Sequence, residues 1–363
     1  MKVAIIGGGA CGLVLANYLE EAGIEYELFE KSICGRKILA SGNGKANIAN
    51  VFYNENSYNH ILGYQLVSKY HERLMAFFKS IHLETKVDEE GRMYPYSESS
   101  LTVLNCLMKK KLHILENFNV LSIQKINHKY YINDVRGPFD ELVFATGSIA
   151  SFIPKKQANC FTYLESLNLK MNPIKPSLVG FRLKGDFRKI NGVRVKCMAS
   201  LYQNEHLVHQ ETGEVIFKID GISGICILNL SSYYQRLKKH DKCHITLDFI
   251  PNLEIKKLSK DGLCGLVHPK IVDYIDSLNI EDYVQFLKNL SFDIVGTYDF
   301  EFAQVVSGGI SLDEIDEHLA LKKDAHIHVG GELLDLDGLC GGYNLMLAFI
   351  CGLKIGDELC SIK

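Results

Sequence analysis

The glycines of Gly7-Gly8-Gly9-Ala10-Cys11-Gly12 stand between an apolar run, Lys2 to Ile6, and a helix-forming stretch, Leu13 to Glu21. This spacing suits a dinucleotide pyrophosphate. Gly7 permits the tight turn, Gly9 admits phosphate to the backbone, Gly12 lets the helix lie close on the strand, and the helix-end N–H groups point at the anion. A second apolar stretch, Tyr26 to Phe29, ends in Glu30, 18 residues beyond Gly12, where the fingerprint places a carboxylate for the ribose hydroxyls. Glu30 would repel a 2′-phosphate, so the site suits FAD or NAD rather than NADP.

Three further segments carry chemistry. Residues 35–50 are glycine- and asparagine-rich and read as too polar for regular structure; such a strip can cradle a long polar ligand, which favours an extended FAD over NAD. An apolar run from Glu141 to Phe144 ends in Ala145-Thr146-Gly147, delivering small residues to the carboxyl edge of a parallel sheet. The third segment, Gly330 to Leu345, includes Gly331, Gly341 and Gly342 and leads into an apolar helix, Met346 to Leu353. Helix-start N–H groups there would stabilise negative charge on a reduced flavin. The acids Glu332, Asp335 and Asp337 would take ribityl hydroxyls, with turn capping as the alternative for both aspartates. Cys340 and Tyr343 are the candidate proton donors beside this turn, and Arg92, in Glu90-Gly91-Arg92-Met93-Tyr94-Pro95, is a candidate contact for a substrate anion or phosphate.

The elements that must position these residues alternate. Helical patterns are expected over residues 58–81 and 101–111, and strands over 119–126, 129–133 and 141–148. From about Pro176 the texture becomes antiparallel, with strand patterns at 178–183, 193–201, 214–218 and 244–249 and helical ones at 229–239, 270–278 and 280–290. Glycine-rich α/β character returns after Phe302. The expected fold is α/β: a Rossmann nucleotide domain in two pieces, 1–175 and 295–363, an inserted β module at 176–250, and a small helical part at 251–294 on the substrate side.

With 363 residues, 47% hydrophobic and 23% charged, the chain can bury a full core. No apolar run approaches the roughly 20 residues of a membrane helix, and the start lacks the pattern of a secretory leader, so no membrane contact and a cytoplasmic location are expected. The closest of the 11 cysteines, Cys351 and Cys360, exclude a C-x-x-C pair and a zinc-knuckle spacing. His326 and His328 would share one strand face and are read as structural, so no metal is expected. The net charge of −3 is unevenly spread. Residues 176–260 hold 14 Lys and Arg against eight Asp and Glu, net +6, whereas the rest of the chain is −9. This is the pattern of a phosphate-tracking RNA face, with an ordinary solvated surface as the alternative. There is no second glycine fingerprint, because Gly221-Ile222-Ser223-Gly224 has the wrong spacing; NADPH or NADH would therefore act only as a transient reductant.

In order along the chain, Ile6-Gly7-Gly8-Gly9-Ala10-Cys11-Gly12, Gly35-Arg36-Lys37-Ile38-Leu39, Ser41-Gly42-Asn43-Gly44, Asn47, Gly91-Arg92, Gly221-Ile222-Ser223-Gly224, Gly308-Gly309-Ile310-Ser311 and Asp337-Gly338-Leu339-Cys340-Gly341-Gly342-Tyr343-Asn344 resemble the YhiN/BaiN family of FAD-binding oxidoreductases. The resemblance implies a glutathione-reductase-like Rossmann domain with an inserted barrel-like antiparallel module. It also implies FAD contacts at Lys31, Arg36, Lys37, Ile38, the 41–47 strip, Val120, Ala145 to Gly147, Glu332, Asp337, Asn344 and Leu345. The implied activities are dihydrouridine formation in 23S ribosomal RNA, aminoacetone oxidase-like chemistry on a small-molecule substrate, and bile-acid reduction. A binding protein stabilised by FAD, without turnover, is the reading of a different class. The family strip usually carries arginine, cysteine and threonine where this chain has Lys45, Ala46 and Ala49, so a mechanism that needs that cysteine lacks its thiol here.

Overall fold

The strand Lys2–Ile6 (β1) is apolar on both faces, as a strand with a neighbour on each side and helices above and below must be. The computed structural model describes residues 1–151, 160–278 and 280–362, and places β1 inside a six-stranded sheet. The chain continues through helix α1 (Ala10–Ala22), strand β2 (Glu25–Phe29), a short helix α2 (Arg36–Ala40) and strand β3 (Ala49–Asn50). After α3 (Ile61–Ser80), the strands β4 (Thr85–Val87) and β5 (Arg92–Pro95) complete a small antiparallel sheet with β3. Helix α4 (Ser100–Leu107) and strand β6 (Ile114–Leu115) follow, then an antiparallel trio, β7 (Ile123–Ile126), β8 (Lys129–Ile132) and β9 (Arg136–Phe139). Strand β10 (Glu141–Phe144), buried throughout, and helix α5 (Cys160–Ser166) end this stretch.

The chain divides into two compact units. One takes Met1–Ile149, residues 160–174 and residues from Gly308 onward; the other takes Ala150, Ser151 and Lys175–Ser307. Two connecting strands, β11 (Met171–Ser177) and β18 (Val305–Ile310), pair with each other where the chain passes between the units. The second unit is a closed antiparallel barrel of β12 (Phe181–Leu183), β13 (Arg194–Gln203), β14 (His206–Lys218), β15 (Gly221–Ser223), β16 (Cys243–Asp248) and β17 (Leu290–Thr297). In β16 the side chains of Cys243, Ile245 and Leu247 alternate inward. Helices α6 (Ile225–Gln235), α7 (Lys260–Leu263), α8 (Pro269–Asp276) and α9 (Tyr283–Lys288) share the barrel's apolar core, with Leu230, Leu263, Ile275 and Leu287 joining Phe181, Phe187 and Phe217. Residues 295–307, expected in the nucleotide domain, therefore lie in the barrel unit, because β17 closes the barrel against β12 and β16. The helices of 251–294 are likewise part of that unit's core.

Back in the first unit, β19 (Ala320–Leu321) and β20 (Asp324–Val329) complete the sheet in the order β19-β20-β10-β1-β2-β6, with every pairing parallel except β19 on β20, and α10 (Tyr343–Ser361) follows. Helices α1 and α10 approach closely. A Cβ on Gly356 would lie 2.7 Å from the Tyr18 ring, and one on Gly352 2.5 Å from the Cys11 carbonyl oxygen. His326 and His328 do share a face of β20. Their rings reach Glu141, with His326 Nδ1 2.7 Å from Oε1 and His328 Nε2 3.5 Å from Oε2. Among the described residues no group of three or more His, Cys, Asp or Glu could hold a metal ion, and no helix is long and apolar enough to cross a membrane.

Candidate functional site

Four strand ends meet at one edge of the sheet: β1 runs into Gly7, β2 into Glu30, β10 into Ala145 and β20 into Gly330. The glycines of the first turn divide by function. Gly7 has φ +110, and a Cβ there would strike the carbonyl of Ala145; a Cβ on Gly12 would sit on the carbonyl oxygen of Gly7. Both are required by packing. Gly9 differs, since a Cβ there meets no atom of the described residues within 4 Å beyond its chain neighbours. Helix α1 begins at this open position. Leu13 donates to the Gly9 carbonyl at 2.9 Å, which leaves the amides of Ala10, Cys11 and Gly12 without an intrahelical acceptor. Glu30 accepts from the Gly8 amide at 2.9 Å and from the Ser32 amide and hydroxyl at 2.9 and 3.0 Å, so the acid is fixed beside the turn.

Only the backbone of Cys11 stands at this turn. Its side chain is buried against Gly330 and helix α10, and burial pushes the thiol well above its ordinary range. Ile38 is likewise buried, as the anchor of α2. The strip expected to be irregular instead forms α2 and a 3₁₀ turn, Ser41–Gly44, in which Gly42 and Asn43 take left-handed backbone. Ala46, at the position of the family cysteine, is fully buried with φ +56. Lys31 and Arg36 are exposed, and Val120 is buried past Phe118, whose amide donates to the Glu30 carbonyl at 2.9 Å.

A polar cluster lies beside this edge. Lys37 Nζ donates to Glu332 Oε2 at 2.7 Å and to Ser148 Oγ at 2.9 Å. Ser148 was not among the expected residues, although it directly follows Ala145-Thr146-Gly147. Glu332 Oε1, Thr146 Oγ1 and Asn47 Oδ1 are buried oxygens with no donor among the described residues. Buried polar atoms in native folds are nearly always satisfied. A ligand rich in hydroxyl and N–H groups, with a pyrophosphate for the amides after Gly9, fits this set, and FAD has both.

The turn before α10 is bound to the first half of the unit. Asn50 Nδ2 donates to the Gly341 carbonyl at 3.0 Å, and the stem of Arg92 lies beside Gly341. Gly342 has φ +99, and Met346 donates to its carbonyl at 3.0 Å, which leaves the amides of Tyr343, Asn344 and Leu345 at the open start of the helix. Three expected ligands are engaged in the fold itself. Asp335 accepts from Asn172 Nδ2 at 2.7 Å and from the Gly308 amide at 3.1 Å, so it bolts the loop rather than offering both oxygens to a ribityl chain. Asn344 closes its own loop, accepting from Gly338 N at 2.8 Å and donating to the Gly338 and Leu339 carbonyls, so its side chain is engaged in the turn. Tyr343 is buried, its hydroxyl donates to the Phe52 carbonyl at 2.9 Å, and burial pushes that hydroxyl above its ordinary range. This makes it a structural tie rather than an available acid.

Asp337 is buried, and its segment is gripped by Asn59, whose Oδ1 accepts from the Asp337 amide at 2.9 Å. Arg92 Nε donates to Asp88 Oδ2 at 2.8 Å, and the guanidinium also pairs with Glu90. Partial burial raises the Asp88 carboxyl, but the hydrogen bonds from Arg92 outweigh it and hold the group below its usual range. Cys340 remains half-buried next to Gly341. Asn50, Asn59 and Asn172 went unrecognised, because their partners lie far away in sequence.

A parallel sheet with an open glycine turn at its carboxyl edge, completed by a returning C-terminal helix, defines an FAD-binding Rossmann oxidoreductase. The chain belongs to the HI0933-like family, since the HI0933-like protein Rossmann domain matches residues 1–358. It is 26% identical to a 3-dehydro-bile acid delta(4,6)-reductase of Clostridium scindens, over 98% of each chain. It is 23% identical to a ribosomal RNA dihydrouridine synthase of Haemophilus influenzae, again over 98% of each. The open conformation of a flavocytochrome c3 fumarate reductase shares the fold, with a TM-score of 0.53 and 11% identity, covering 99% of this chain and 78% of that one.

Proposed function

We propose that this enzyme reduces a carbon–carbon double bond conjugated to a carbonyl, and that the bond is C5=C6 of a uridine in 23S ribosomal RNA. The YhiN/BaiN resemblance supports the reaction class, because making dihydrouridine and reducing a bile acid at delta(4,6) are both hydride additions to an unsaturated carbonyl system. FAD, when bound, supplies the hydride. The chain's own residues do the rest. The amides after Gly9 hold the pyrophosphate, Lys37 and Glu332 fix the polar edge, and the amides at the start of α10 stabilise negative charge.

Cys340 is the proton donor in this reading. Cys340→Ser is expected to keep its FAD and slow single-turnover reduction about a hundredfold. An unchanged rate would assign the thiol a structural role.

One observation carries the choice of RNA. In the barrel unit, Arg236, Lys238, Lys239 and Lys242 line a cleft of about 760 Å³, with Asp241 as its one acid. Among the described residues, no hydrogen bond or ion pair ties the amino groups of Lys238, Lys239 and Lys242 to a carboxylate, which leaves them available to phosphate. Reversing these three lysines to glutamate is expected to weaken binding of an unmodified ribosomal RNA fragment. It should also flatten the dependence of log affinity on log salt by about two units, and equal slopes would place the RNA elsewhere. The function itself is tested by mass mapping of dihydrouridine in ribosomal RNA from cells with and without the protein, using NADPH and NADH as candidate transient reductants in vitro. The 26% identity to the bile-acid reductase favours a second reading, a small-molecule enone as substrate. An unchanged modification map together with turnover of such an enone would select it.

A further inference from the structure

We propose that Phe52 is the platform on which the flat ring of the substrate stacks, an inference that rests on the uridine reading above. Phe52 follows β3 and is 61% exposed, although it is among the largest apolar side chains of the unit. Its backbone is clamped on both sides. The Phe52 amide donates to Asn50 Oδ1 at 2.8 Å, and its carbonyl accepts from the Tyr343 hydroxyl at 2.9 Å. The preceding residue, Val51, donates to the Gly91 carbonyl at 2.9 Å. The ring itself lies against Gly91, where a Cβ would come within 2.6 Å of Phe52 Cδ2. Gly91, with φ +75, thus leaves the ring room to rest on bare backbone.

The two residues that hold Phe52 also hold the proposed flavin-side turn. Asn50, 3% exposed, donates to the Gly341 carbonyl at 3.0 Å, and Tyr343 begins α10. The backbone that carries the ring is therefore held beside the turn, and the ring itself is left uncovered. A nucleobase presents a π-face that such a ring can stack on, and phenylalanine adds no hydrogen-bonding preference of its own. A nicotinamide ring offers a similar face, so the experiment separates the two.

The probe is an unmodified hairpin transcribed from large-subunit ribosomal RNA, and the variants are Phe52→Leu and Phe52→Tyr in the FAD-loaded protein. Phe52→Leu is expected to retain FAD absorbance and thermal midpoint, while RNA Kd and KM rise about ten- to hundredfold. The change in kcat should be smaller, and Phe52→Tyr should restore both constants. Reduction of the flavin by NADPH without RNA should be unchanged in both variants. If Phe52→Leu binds RNA as the wild type does, stacking is overturned while the uridine reading stands. Slower reduction by NADPH at unchanged RNA affinity overturns it in favour of nicotinamide. A wild-type protein that neither binds nor reduces the hairpin overturns the uridine reading, and the stacking site with it.

Discussion

Gly9→Val is expected to give a folded but colourless protein. Among the described residues nothing beyond its chain neighbours lies within 4 Å of the position its Cβ would take, and the residue sits at φ −87, where valine is not strained. The cost to the apo fold is confined to exchanging glycine for a poor helix N-cap, about 1 kcal/mol. The branched side chain would fill the open space before the amides of Ala10, Cys11 and Gly12, where the proposed pyrophosphate would bind. Affinity for FAD should fall at least about a hundredfold, roughly 2.7 kcal/mol. The measurements are visible absorbance of the purified protein and its melting with and without added FAD. The apo midpoint should stay within a few degrees of wild type, while the upward shift produced by FAD disappears. Wild-type flavin content in this variant would remove the pyrophosphate from this turn. Gly12 cannot serve for the same test, because a Cβ there collides with Gly7, and loss of colour would report the fold.

The difference between Gly9 and its neighbours marks how far the sequence was legible. Spacing placed the turn, Glu30 and residues 145–147 at strand ends, since all of these follow within a few residues from strands with a continuous apolar run. The asymmetry among the glycines did not follow, because what each Cβ would meet is set by Ala145 and Gly7, brought there by the sheet. Polarity misled at residues 35–50: Ile38 alone anchors α2, too little apolar signal to betray a helix. Strand β14 was seen only at its end, 214–218, because its first half is polar and partly exposed on both faces, with pairing supplied by β13. Asp335 and Asn344 have side chains suited to a ribityl chain, yet both are spent on the fold. Asn172, which binds Asp335, is 163 residues distant. Residue type suggests which chemistry is possible; distant partners decide whether a group remains available for it.

Gly342→Ala is expected to fail in the opposite way, by weakening the fold before the cofactor is added. At φ +99 and ψ −12, an L side chain is strained, typically by about 1–3 kcal/mol. Its Cβ would also run into the carbonyl oxygen of Ala49 and lie 2.5 Å from Asn47 Oδ1. Neither neighbour yields easily. Ala49 is paired to Met93 in the β3–β5 ladder, and α10 is fixed by Met346, Phe349, Ile350 and Leu353 in the core. Relief therefore requires moving the strip away from the helix start, and the total should come to about 3 kcal/mol or more. For a unit of this size that corresponds to a fall of roughly 6–12 °C in the apo melting midpoint. The displaced strip would carry away Asn47 Oδ1, one of the unpartnered oxygens of the candidate site, so FAD should restore less stability than in wild type. The diagnostic is the contrast between the two glycine variants: Gly9→Val loses only the FAD-dependent part of the melting shift, whereas Gly342→Ala loses stability in the apo protein as well. An apo midpoint equal to wild type in Gly342→Ala would show that the strip and helix start can separate without cost, and that the turn is not held as its contacts imply.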